Sequence, residues 1–248
     1  MTEKAKKTYE KLFNGQENPL TKTDPELVDY FTNFAYDEVV DTDQLDEHTR
    51  LIATLAVLMG NQGIDLYKRM LIAAYNAGVT VVEMKEIAYQ AADYLGMGKA
   101  YPYLFAINDF CKENAIEIPM EARSTTNTET RLMAGNQKQV DYFGERNKEG
   151  WLHCAPERKP ITIYLADNCF GDVYTRVGLT DNQREMITFC FLIAQGGCEP
   201  QAIAHAKANM NIGNTKEFLY QVVNQVIPFI GYPRSLNALS NIDTASKM

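Results

Sequence analysis

Apolar side chains recur at helical intervals along most of the chain, and the gaps between them carry helix-ending residues. Residues 4–13 form a charged segment with Tyr9, Leu12 and Phe13 on its apolar edge, closed by Asn14-Gly15. A second helix starts at TDPE, where Thr23 and Glu26 have the spacing of a capping box and Pro25 suits a first turn. Its apolar positions are Leu27, Tyr30, Phe31, Phe34 and Val39. Asp46 then caps HTRLIATLAVLMG, which is apolar on nearly every side and therefore reads as a central helix. After a break bracketed by Gly60 and Gly63, residues 64–77 form the next helix. Thr80 and Glu83 open another with a second capping box, running to about Leu95. The pattern continues over 101–111 and 131–149, with a polar loop from Trp151 to Pro160. ITIYLAD is rich in β-branched residues, yet Ile161, Leu165 and Phe170 can share one core face and no second strand is available, so helix is expected there too. The prediction is an all-α fold.

The pattern also repeats. LDEHTRLIATLAVLMG aligns with LTDNQREMITFCFLIAQG, placing Arg50 opposite Arg184. Downstream, Gly78 lies on Gly213, Thr80 on Thr215, Gln90 on Gln225, Tyr94 on Phe229 and Gly96 on Gly231, with one extra residue at the glycine turn of the second copy. Two similar helical units follow: 1–111, then a linker over 112–130 crowded with Asn, Thr, Ser, Pro and Glu, then 131–248. They should share one core about a pseudo-two-fold axis, with the active pocket in the second.

Charge narrows the functional classes. The formal net charge is -8, with no basic block, which disfavours nonspecific attraction to nucleic acid or anionic membranes. The apolar stretches are too short and too interrupted for a membrane span, and the early lysines are not followed by a secretory apolar block. A cytoplasmic protein is expected. Its five cysteines include no CxxC pair and read as free thiols.

Candidate chemistry gathers around Gly196-Gly197-Cys198-Glu199-Pro200, with His205 seven residues after the cysteine. The glycines end one helix and Pro200 suits the first turn of the next, so Cys198 stands where a helix N-terminus favours a thiolate. Gln201 lies one helical turn before His205 on the same face. His205 stands opposite Met70, Cys198 opposite Gly63 and Gln201 opposite Leu66, so titratable groups occupy one unit where the other has filler. A helical hairpin brings Glu185 and Arg184 back towards this turn, where a carboxylate orients an imidazole. Arg176 is a candidate for holding a substrate carboxylate and Tyr232 a candidate donor. The bland readings are a core histidine bonded to a carbonyl, a small buried cysteine and structural arginines. No HxH or HExxH spacing supports a metal site.

The segments FGDVYTRVGLTDNQRE, GGCEPQAIAHAKANMNIG and PFIGYPRSLNAL, with LDEHTRLIATLAVLMG, NAGVT and EIAYQAADYLG earlier, resemble the carboxymuconolactone decarboxylase family, part of the alkyl hydroperoxidase D-like proteins. The resemblance covers roughly 24–109 and 131–243 and implies tandem alkyl hydroperoxidase D-like helical units assembled as a homotrimer or higher homo-oligomer. It also implies cofactor-free proton transfer at His205 on a small organic acid or lactone, an arginine holding the carboxylate. The hydroperoxidase branch instead uses two cysteines three apart. Here Cys198 matches the first and Gln201 stands in place of the second. The leading expectation is a cofactor-independent lyase or proton-transfer enzyme. The alternatives are a thiol-dependent reductase or peroxidase using Cys198, and a noncatalytic oligomeric binding protein.

Overall fold

A computed structural model describes residues 1–248. The first half consists of α1 (Glu3–Phe13), α2 (Pro25–Asn33), α3 (Glu47–Gly60), α4 (Ile64–Asn76), α5 (Val81–Leu95) and α6 (Met97–Glu113). The second contains α7 (Arg131–Phe143), α8 (Lys159–Tyr164), α9 (Asp181–Gln195), α10 (Glu199–Asn211) and α11 (Lys216–Ala245). In both halves the second helix widens into a π-helical segment, Phe34–Glu38 after α2 and Leu165–Tyr174 after α8. The fold is all-α, with two similar helical halves, and ITIYLAD is helical. Gly231 (φ 74°, ψ 167°) breaks α11 where Gly96 (φ 85°, ψ 146°) separates α5 from α6, so the halves match down to the glycine that redirects the chain.

The central pair α3 and α9 is buried from Arg50 to Gly60 and from Arg184 to Ala194. The two helices cross in close contact: a Cβ on Gly60 would stand 2.7 Å from the Ala194 Cβ. Gly60 and Ala194 are equivalent in the internal alignment, and equivalent residues touch only near a two-fold axis. A cluster of 49 buried apolar residues runs through both halves as one core. The halves also exchange side chains. Gln90 of α5 donates to the Arg184 carbonyl (2.8 Å), and its counterpart Gln225 of α11 donates to the Val39 carbonyl (2.8 Å).

Capping follows the sequence in most places. Asp46 accepts from the Thr49 N–H (2.9 Å), and Thr80 and Glu83 form the full capping box, the carboxylate accepting from the Thr80 N–H at 2.7 Å. The box expected from Thr23 and Glu26 does not form. A 3-10 turn over Pro19–Lys22 precedes α2, and the Thr23 hydroxyl donates to Asp24 (2.6 Å), which takes the N-cap position without a side-chain cap bond. The helix expected over 131–149 ends earlier, at Phe143, because Gly144 takes φ 89° and starts a series of short 3-10 turns. Between 114 and 130 there is no helix, but Thr126 donates to the Gly171 carbonyl (2.8 Å) and Val177 N–H to the Arg123 carbonyl (3.2 Å), which tie this segment to the second half. No helix is long and apolar enough to cross a membrane.

Candidate active site

The site begins with a tight turn. Helix α9 is capped by Thr180 and Gln183 and ends at Gly196 and Gly197, both at positive φ (66° and 72°). A Cβ on Gly196 would fall 1.8 Å from an Arg234 guanidinium nitrogen, so the turn needs glycine for close approach as well as for conformation. The reversal lays α10 along α9, and Asn209 locks the two together. Its amide donates to the backbone carbonyls of Glu185 (2.9 Å) and His205 (2.8 Å), and its oxygen accepts from Asn214 (2.7 Å).

This packing brings His205 Nδ1 to 2.8 Å from Glu185 Oε2. Glu185 is fully buried and His205 is 8% exposed. A carboxylate at that distance accepts a hydrogen bond, so the proton sits on Nδ1 and Nε2 is the free nitrogen. Nε2 makes no protein hydrogen bond and is not among the sealed, unpartnered polar atoms, so it is the nitrogen in touch with the surface. Two aromatic rings stand edge-on to the imidazole: Tyr94 of α5 (centroids 5.4 Å apart) and Phe143 of α7 (5.2 Å). Phe143 also walls a cavity of about 360 Å³ that includes Arg146 and Lys207. The histidine is therefore held by elements of both halves.

Behind it runs a buried polar chain. The Tyr94 and Tyr174 hydroxyls meet at 2.8 Å, Tyr174 and Thr188 at 2.5 Å, and Gln90 donates to Thr188 (2.8 Å). Arg184 donates to Gln90 (3.1 Å) and Glu86 (3.0 Å), and Arg176 donates to Glu86 twice through Nε (3.0 Å) and once through Nη2 (2.9 Å). Burial raises the Tyr94 and Tyr174 hydroxyls well above the ordinary tyrosine value, so both act as neutral links.

Of the residues singled out by sequence, Glu185 and His205 are brought together. Arg184 is fully buried within this chain, and Arg176 is paired with Glu86 and stacked over Tyr89 (5.0 Å). Neither guanidinium bonds to His205 or to the Glu185 carboxylate: Arg176 turns to Glu86, and Arg184 to Glu86 and Gln90. Gln201 and Tyr232 point to the surface, Tyr232 at 64% exposure. Cys198 is the N-cap of α10; its thiol donates to the Leu192 carbonyl (3.3 Å) and accepts from Gln195 (3.6 Å), with no bond to His205. Burial raises its pKa, Glu199 adds to the rise, and Gln195, Arg234 and Lys99 oppose it. Desolvation thus outweighs the helix terminus expected to favour thiolate. Tyr94 and Phe143 were not apparent as site residues: a ring meeting a histidine edge-on across long sequence distances leaves no local spacing to read.

The sequence pattern of the carboxymuconolactone decarboxylase family matches the chain twice, over residues 25–107 and 162–242. The chain belongs to that family. It is 32% identical over 88 residues to the 4-carboxymuconolactone decarboxylase of Acinetobacter baylyi, a stretch that is 36% of this chain and 66% of the relative. It therefore spans just under two thirds of that relative's length. A solved structure from Burkholderia xenovorans, named for the gamma-carboxymuconolactone decarboxylase subunit, is 19% identical with a TM-score of 0.56, covering 98% of this chain and 96% of that one. What this second protein shares is the fold.

In this carboxymuconolactone decarboxylase family member the two halves differ at the site in a definite way. Leu51 occupies the place of Glu185 and Met70 that of His205, both essentially unexposed. One further group beside the site titrates unusually. Burial, with Asp172 adding to it, lifts the Asp93 carboxyl from 3.8 to about 6, and its Oδ2 has no hydrogen-bond partner. The folded form therefore holds a proton that the unfolded chain releases between about pH 4 and 6, and stability falls as pH rises through that window. Asp93→Asn is expected to gain roughly 2–3 kcal/mol over the parent at about pH 7.5, and nothing below about pH 4, by urea denaturation.

Proposed function

We propose that this family member is a cofactor-independent lyase acting on a small organic acid or lactone, with His205 as its acid–base group and Glu185 as the positioning residue. The observation that carries this is the 2.8 Å contact between His205 Nδ1 and a fully buried Glu185. It fixes the tautomer and leaves Nε2 for substrate. In this reading the acid enters through the cavity beyond Phe143, where Arg146 and Lys207 meet its carboxylates, and displaces that ring to reach Nε2. The bond to the departing carboxylate breaks, carbon dioxide leaves, and its electron pair passes into the conjugated lactone. His205 Nε2 takes a proton from solvent, Glu185 stabilising the imidazolium through Nδ1, and delivers it to the carbon of the conjugated lactone that receives the electron pair. Arg176 and Arg184 belong to the framework that holds α5 against α9.

Homo-oligomeric assembly is part of the proposal. Met97, Tyr101 and Phe105 on α6 are exposed, and Tyr232 and Leu236 on α11 are exposed at the positions equivalent to Met97 and Tyr101. Matching apolar stripes on both halves suit repeated seams. Carbon dioxide release from 4-carboxymuconolactone tests the reaction. The expected result is turnover by the wild type and unchanged turnover by Cys198→Ser. Peroxide consumption lost in Cys198→Ser, without decarboxylation by the wild type, would replace this reading with thiol chemistry.

A further inference from the structure

On the far side of α5 from the histidine, Lys85, Tyr89 and Val82 face Met120 and Arg123 of the 114–130 segment, with Arg176 closing the end of a cavity of about 110 Å³. Its charges do not balance. Glu86, 1% exposed, is already shared by Arg176 and Arg184, and the other carboxylate on the wall, Glu121, is exposed. Lys85 is 9% exposed and its ammonium bonds only to the neutral Asn108. Arg123 forms no ion pair, and its Nε is buried without a partner. A buried cation with no counter-charge is costly, and burial holds the Lys85 ammonium below its usual range. In a chain of net charge -8, this is a local concentration of positive charge.

The cations are also fixed in position. The Arg123 carbonyl accepts from the Val177 N–H (3.2 Å), next to Arg176. Gly178, at φ 123°, lets the turn pass so close that a Cβ there would meet Val82 Cγ1 at 2.9 Å and the Glu86 Cγ at 3.1 Å. Arg176 is held over the Tyr89 ring. The volume is worth three to four waters at about 30 Å³ each, enough for a carboxylate and a few carbons. Val82 and Met120 supply an apolar wall for those carbons.

We propose that this cavity is a second anion site, which takes the carboxylate of a small organic monoacid between Lys85, Arg123 and Arg176. It is separate from His205 and does not depend on the reaction proposed there. The terminal nitrogens of the Arg123 guanidinium, which make no protein hydrogen bond and are not sealed, offer N–H groups to one oxygen, and the Lys85 ammonium meets the other.

Calorimetric titration of the full chain with propionate, in a buffer free of other small carboxylates, tests the site. One propionate per chain is expected, with Kd raised about tenfold or more in Arg123→Gln and in Lys85→Met, and within about twofold of wild type in His205→Gln. Arg123 lies on a non-helical surface segment, so its variant tests the site even if Lys85→Met fails to fold. The proposal is overturned if wild-type protein takes up no propionate, if Arg123→Gln binds as the wild type does, or if chloride competes as well as propionate at equal concentration. Loss of binding in His205→Gln would also overturn it, by placing the acid in the histidine site.

Discussion

Glu185→Leu combined with His205→Met is expected to fold at least as stably as the wild type and to have no lyase activity. Those two side chains are the ones the first half carries at the equivalent positions, Leu51 and Met70, and there they pack at 0% and 1% exposure. The backbone frame thus already accommodates them. Replacing both partners of a buried hydrogen bond to a carboxylate by apolar groups of similar size is typically neutral or stabilising, as it is by about 1–4 kcal/mol for a buried ion pair. His205→Met alone behaves differently. It leaves the fully buried Glu185 without its only side-chain partner and should cost about 3–5 kcal/mol. Urea denaturation of the single and double variants checks this. If the double variant is as unstable as the single, the pair is a structural element of the second half, and the chemical reading loses its main support.

Gly135→Ala is expected to be among the most damaging single changes to the fold. A Cβ at Gly135 would lie 1.9 Å from the Ala166 carbonyl oxygen, 2.4 Å from the Gly171 nitrogen and 2.7 Å from the Gly171 Cα. All three obstacles are backbone, so no rotamer change relieves the clash and α7 must move off the π-helical segment Leu165–Tyr174. Overpacking typically costs about 1–3 kcal/mol and occasionally more, and a clash with backbone alone belongs at the upper end. Helix α7 carries Phe143, which contacts His205, so the displacement should also lower activity. Gly98→Ala is the control. It sits in α6 with nothing within 4 Å of the added methyl, and helix propensity favours alanine there by about 0.5–1 kcal/mol. Thermal unfolding should move in opposite directions for the two variants.

The contrast between these positions shows what is legible in a sequence. Helix period, caps and the doubled pattern are local or repetitive signals, and they anticipated α3, α5, α9 and the glycine breaks at Gly96 and Gly231. Glu185 and His205 were legible because a glycine-ended helix followed by a proline-started one forces a hairpin, and a hairpin brings its two arms together. The arginines were less so. Arg176 and Arg184 find Glu86 and Gln90 some ninety residues earlier, across the interface of the two halves, and local spacing cannot rank such partners. Cys198 shows a different limit. A helix terminus argues for a thiolate, while the degree of desolvation that reverses this depends on packing. At Thr23 the neighbouring 3-10 turn redirected a hydroxyl that the motif alone assigned to a cap.

In the proposed reaction, proton transfer runs through the Glu185-held imidazole. Single-turnover carbon dioxide release from 4-carboxymuconolactone by His205→Gln, against the wild type, reads it directly, because glutamine can keep a hydrogen bond to Glu185 but cannot exchange a proton near neutral pH. A loss of about 10²–10⁴-fold is expected, with thermal unfolding close to that of the wild type. A variant that releases carbon dioxide within about threefold of the wild-type rate would contradict it.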